Sequence, residues 1–167
     1  VPRSAARPLR YMDRYVTVKQ GEVFYITEAL AALEGMEKGP AGNTSLAAAF
    51  SLAREMDEDQ IIVAQETEYT GAGKHIQPQL AFARRNGIQL LFGDPQPEVP
   101  GVNIVFPADP GLLQARDADL DHMRTSLIRR QATRAAGPVT DADIAYLVEE
   151  TKSSPAFVRK ILASLGL

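Results

Sequence analysis

The stretch "DQIIVAQETEYTGAGKHIQPQLAFARRNGIQLLFG", residues 59–93, constrains the fold more than any other part of the chain. It reads as an apolar run, a glycine-rich turn, a helix with an arginine-rich end and a second apolar run. Apolar runs of this length, bounded by turn residues, suit buried strands. A helix between two such strands is the unit of a parallel sheet. "QIIVAQET" and "IQLLFG" are therefore expected as strands, with a helix from Gln77 to Arg85 between them, stopped by "NG".

The rest of the chain extends that unit. Val16 and Val18 alternate with polar residues and suit a short strand. "EVFYITEALAALEGM" places Phe24, Tyr25, Ala29, Leu30 and Leu33 near helical spacing, and "EKGPAGN" ends it. "TSLAAAFSLAREM" is a second helix, with Asn43 or Thr44 as its cap and alanines that let another backbone come close. "DPQPEVPG" is loop, and "VNIVFP" is a last strand. The expected class is α/β: an open, mostly parallel sheet flanked by helices over residues 1–110, followed by an all-helical tail over 111–167.

In the tail, Thr140 precedes Asp141 and Asp143, a cap followed by first-turn acids. Ser154 followed by Pro155 is a second helix start. Ile144, Leu147 and Val148 then face Phe157, Val158, Ile161 and Leu162 across a helical hairpin. Its rhythm also suits a DNA-binding helix-turn-helix, or a plain interaction module. Residues 140–167 hold four acids and three bases, however, and a recognition helix needs excess positive charge. The whole chain carries a net charge of −3, so no basic field favours nucleic acid or anionic lipid. Packing or subunit docking is the expected role of the hairpin.

Three chemistries fit a strand–glycine turn–helix: a phosphate cradle, another cofactor contact, or a bare turn. The nucleotide-binding loop needs Gly, four residues, then Gly-Lys-Ser/Thr. Here His75 follows Gly73-Lys74, and Glu68 stands where the first glycine belongs. A carboxylate there repels phosphate. The chain has no cysteine, which excludes disulfides, thiolate catalysis and cysteine-bound zinc and fits a cytoplasmic setting. His75 and His122 lack the spacing of a metal pair, so no metal site is expected. "DADLDH", Asp117 to His122, lacks the glycine and final glutamate of a calcium loop and reads as a solvated first helical turn. No apolar run approaches the roughly 20 residues of a membrane span. The chain opens on Val1 rather than Met, as expected of a processed chain or a fragment.

"EGMEKGPAGNTSLAAAFSLAREM" resembles, without a gap, the "EGI…GISSGAALAAALKLA" pattern of fold-type II pyridoxal-phosphate enzymes, the cysteine synthase and threonine synthase group. "QIIVAQET" and "YTGAGKH" stand where that family has its next strand and "SSGERY" loop. The resemblance runs from about Val16 to Gly93. Within the group, "GPAGNTSLAAAF" and "QETEYTGAGKH" look most like the beta subunits of the 2-amino-4-oxopentanoate thiolases. These act in ornithine breakdown, splitting the substrate with coenzyme A into acetyl-CoA and alanine.

The resemblance implies that the turn and helix at Asn43–Ser45 lie beneath the cofactor's pyridine ring. Thr44 is the first candidate for the group at the ring nitrogen, with Asn43 and Ser45 as local alternatives and Gly71 as a backbone approach. Helix capping accounts for the same three side chains equally well. The serine pair of cysteine synthases is replaced here by Ala41 and Gly42. The family's Schiff-base lysine and phosphate loop precede the matched region, and none of Lys19, Lys38, Lys74, Lys152 and Lys160 sits in a matching context. The resemblance thus implies the C-terminal part of a longer enzyme, inactive alone. Its implied partners are the N-terminal part, an alpha subunit, coenzyme A and an amino-acid substrate.

Overall fold

The computed structural model describes residues 7–66, 75–134 and 137–167. The chain divides into two compact units. One is Val16–Arg116; the other joins Asp117–Leu167 to the segment that ends at Tyr15. The division falls six residues beyond the expected boundary at 110, because Leu113 packs in the core of the first unit with Val23, Ile26 and Ala47. The amide of Ala115 also donates to Ser51 Oγ there (2.8 Å).

The first unit begins with the two-residue strand β1 (Val16–Thr17) and the helices α1 (Gln20–Glu34) and α2 (Asn43–Ala53). It continues with α3 (Gln77–Arg85), β2 (Gln89–Gly93), β3 (Asn103–Pro107) and a 3-10 turn at Pro110–Leu112. β2 and β3 are parallel, in register from Gln89 opposite Asn103 to Gly93 opposite Pro107. Phe24 of α1, Ile76, Leu80 and Ala83 of the α3 region, and Ile104 and Phe106 of β3 form one apolar core. The α/β class and this parallel pair agree with the sequence. The larger sheet does not: among the described residues the strands are short and the parallel sheet has two of them.

The missing member is "QIIVAQET". Residues 61–66 take no strand pairing, and Ile61 and Val63 are 85% and 91% exposed. A strand is stabilised by cross-strand neighbours, and none of the described residues provides one here. The remaining boundaries follow local chemistry. α1 ends at Gly35 in the left-handed region, φ 66°. α3 ends at Asn86–Gly87, as the "NG" predicts, with Asn86 Nδ2 donating to the Phe82 carbonyl (2.8 Å).

The second unit holds α4 (Asp121–Ala132), α5 (Asp141–Thr151) and α6 (Pro155–Ala163). Residues 111–167 are not wholly helical, since β4 (Arg116–Asp117) and irregular chain precede α4. Thr140 Oγ1 accepts from the Asp143 amide (3.2 Å), and Asp143 accepts in return from the Thr140 amide (2.8 Å). Ser154 Oγ accepts from the Phe157 amide (3.1 Å), with Pro155 at the first helical position. The predicted seam exists, and α4 adds Ile128 and Ala132 to Ile144, Leu147, Val158 and Leu162. Arg10 ties the N-terminal segment to α5 through Glu150 (2.8 Å) and Glu149.

Candidate functional site

The site is built on how α1 and α2 are held. Glu98, 5% exposed, reaches the first turn of α1. Its Oε1 accepts from the Gln20 amide (2.7 Å), and its Oε2 accepts from the amides of Gly21 (2.9 Å) and Val105 (2.8 Å). Glu22, fully buried, accepts from the amides of Lys19 (2.5 Å) and Gln114 (2.7 Å). A helix N-terminus attracts an anion. At α1 that position is already filled by the protein's own carboxylates, so it is no phosphate cradle.

Asn43 opens α2 but does not cap it. The cap position is Gly42, and no side chain closes it. Asn43 is fully buried and donates to Thr27 Oγ1 (3.1 Å) and the Lys38 carbonyl (3.4 Å), pinning α2 to α1. Its Oδ1 has no partner. Thr44 is exposed; its hydroxyl makes one long bond to the Pro40 carbonyl (3.4 Å) and no cap. Ser45 Oγ donates to the Gln65 carbonyl (2.7 Å). That bond fixes segment 61–66 against the first turn of α2. The expected cap by Asn43 or Thr44 is thus replaced by an inter-helix tie and a groove-facing hydroxyl.

Between α2 and that segment runs a groove of about 710 Å³. Val16, Val18 and Leu52 give it apolar walls, Ala48 and Ala49 keep it open, and Ile62 to Gln65 form the far side. Thr44 and Ser45 line it, whereas Asn43 lies behind it. A neighbouring hollow of about 410 Å³ shares Val18, Ala41 and Thr44 with the groove, so Thr44 stands where the two meet. A third hollow of about 400 Å³ lies at the other end of α2, where Arg54 donates to the Gly111 (2.8 Å) and Leu113 (3.1 Å) carbonyls.

The structure therefore brings Thr44 and Ser45 together with the segment that leads into the glycine-rich loop. Gly71, Glu68 and Lys74 lie outside the described residues. Sequence reasoning missed Glu98 and Gly21, whose pairing spans 77 positions of chain. Glu66, singled out in the sequence only as a charge that disfavours phosphate, stands at the end of the groove segment. Burial pushes the Glu66 carboxyl up from the ordinary carboxylate range, and the charge of Lys38 partly opposes that shift. Among the described residues no cluster of histidines and acids could hold a metal ion, and no helix is long and apolar enough to cross a membrane.

The chain is 65% identical over 166 residues to a protein of Acetoanaerobium sticklandii. That protein is a 2-amino-4-ketopentanoate thiolase beta subunit. A second 2-amino-4-ketopentanoate thiolase beta subunit, from an unknown prokaryotic organism, is 56% identical over 168 residues. The two matches cover 99% and 100% of this chain but 35% and 36% of those proteins. The chain thus spans about a third of the length of the thiolase subunits it matches. No family model matches the chain. No solved structure matches it either.

Proposed function

We propose that this chain is the C-terminal, cofactor-facing portion of a pyridoxal-phosphate-dependent thiolase beta subunit. Its reaction would be cleavage of 2-amino-4-ketopentanoate with coenzyme A to acetyl-CoA and alanine, in amino-acid catabolism and together with an alpha subunit. The observation that carries the proposal is the 65% identity, spread over the entire chain, to a subunit of that name.

The groove fits one face of the cofactor. Its small residues, Ala41, Gly42, Ala48 and Ala49, allow a flat ring to approach the α2 backbone. Thr44 brings a hydroxyl whose one bond in this structure is long and easily exchanged. When bound, pyridoxal phosphate supplies delocalisation of carbanion charge. In this proposal Thr44 holds the ring nitrogen, a neutral partner that limits how much charge the ring draws. Ser45 holds the far wall in place, and Val16, Val18 and Leu52 exclude water. No lysine lines the groove among the described residues. The covalent anchor and the phosphate site would then belong to the rest of a longer subunit.

The test uses the full-length protein together with its alpha subunit. Mixed with 2-amino-4-ketopentanoate and coenzyme A, the pair should form acetyl-CoA and alanine in equal amounts. Thr44→Ala should alter the cofactor's absorption spectrum and slow the reaction. No thiolysis with both subunits present, or a spectrum unmoved by Thr44→Ala, would refute it.

A further inference from the structure

The hollow of about 410 Å³ that adjoins the groove at Thr44 holds a cation that the proposed chemistry does not use. Lys19, the residue just ahead of α1, lines it together with Gln20, Thr44 and Glu98. Its other walls are apolar, Val23 and Phe24 among them, so Lys19 and Glu98 are its two charged residues. Lys19 is half-buried and open to the hollow it lines, whereas Glu98 is 5% exposed.

The two charges do not meet as an ion pair. The Glu98 carboxylate is taken up by the amides of Gln20, Gly21 and Val105. What Glu98 offers Lys19 is its backbone carbonyl, to which Lys19 Nζ donates (2.9 Å). Glu22, the next acid in sequence, spends both oxygens on the amides of Lys19 and Gln114. Lys152 shows the contrast: its Nζ donates to the Met12 carbonyl (2.7 Å) and also pairs with Asp13 (3.2 Å). Among the described residues no carboxylate forms an ion pair with Lys19. An ammonium carries three N–H donors, and the Glu98 carbonyl takes one. The other two remain for an occupant of the hollow, and an anionic acceptor makes the strongest bond to such a donor. Because the Gln20 and Gly21 amides at the start of α1 are already used, that recognition falls to the lysine alone.

We propose that Lys19 is an anion-recognition residue, whose ammonium receives an oxyanion of a ligand that enters this hollow beside Thr44. Two sources supply that chemistry: the carboxylate of an amino acid and a phosphoryl group of a phosphorylated cofactor. The choice between these two rests on the proposed function; the role of the lysine does not.

Calorimetric titration of the full-length protein with its alpha subunit separates the cases, each arm comparing a ligand with the same ligand stripped of its oxyanion. One arm uses L-alanine and L-alanine methyl ester. The other uses 4′-phosphopantetheine and pantetheine. In at least one arm the wild type should prefer the anionic ligand by about tenfold, the scale of one charge-assisted hydrogen bond. Lys19→Gln should remove that preference, and Lys19→Arg, which keeps the charge, should retain most of it. A wild-type preference within about twofold in both arms would overturn the inference, and that comparison needs no variant. A preference that survives unchanged in a folded Lys19→Gln overturns it as well. Acetyl-CoA formation by a protein in which neither arm shows a preference sinks the inference and leaves the proposed function standing. A preference that depends on Lys19 in a protein that forms no acetyl-CoA does the reverse.

Discussion

Gly21 decides how closely α1 meets the sheet. A β-carbon added there would lie 1.8 Å from the Val105 carbonyl oxygen and 2.4 Å from its carbon. Both atoms are backbone and cannot turn aside, so Gly21→Ala must push α1 off β3 and stretch the bonds to Glu98. The expected cost is about 3 kcal/mol or more, at the upper end for overpacking. A chemical melt of the chain measures it, and a loss below about 1 kcal/mol would show that α1 can shift freely. Nothing in "VKQGEVFY" announces this role, because the partner that makes the glycine necessary lies 84 positions away in β3. Glu98 was equally hidden, as one acid among prolines in "DPQPEVPG". Thr44 and Ser45, by contrast, were legible as the side chains at the start of α2, since a helix start is written in adjacent residues.

The elements repeat that division between local and distant causes. The caps of α5 and α6 and the stop of α3 were readable because each closes within a few residues. The hairpin seam was readable from its period, although α4 joins it by contacts that no local pattern states. Burial depth within the seam was not readable. Leu147 is 3% exposed and Val158 fully buried, whereas Phe157 is partly exposed at the edge of the cluster. Leu147→Ala should therefore cost roughly 2–5 kcal/mol, the range for a buried leucine, and Phe157→Ala should cost less than Leu147→Ala despite removing a larger side chain. Thermal melts of the two variants compare them. The reverse order would mean that Phe157, not Leu147, anchors the three helices.

At the scale of the whole molecule, the expected strand at "QIIVAQET" went wrong for a reason that composition cannot reveal. An apolar run says that a segment wants to be covered, not what covers it. Ile61 and Val63 are almost fully open, and so is Phe92 of β2, at 80%, although its ring stacks on Phe106 at 5.3 Å. Thiolase beta subunits nearly three times as long carry further chain that could lie on these residues. The proposed function requires such cover, because the groove beside this segment must exclude water. Ile61→Thr combined with Val63→Thr tests that requirement. In this chain alone the pair should leave the melting temperature unchanged and reduce binding of a dye that reports exposed apolar surface. In the full-length subunit each change should cost on the order of 1–2 kcal/mol, since a side chain that burial stabilises by about 1.5–3 kcal/mol has been made polar. Equal effects in the short and long chains would mean that nothing beyond the residues described covers the segment, and the proposal that it lines an enclosed site would fall.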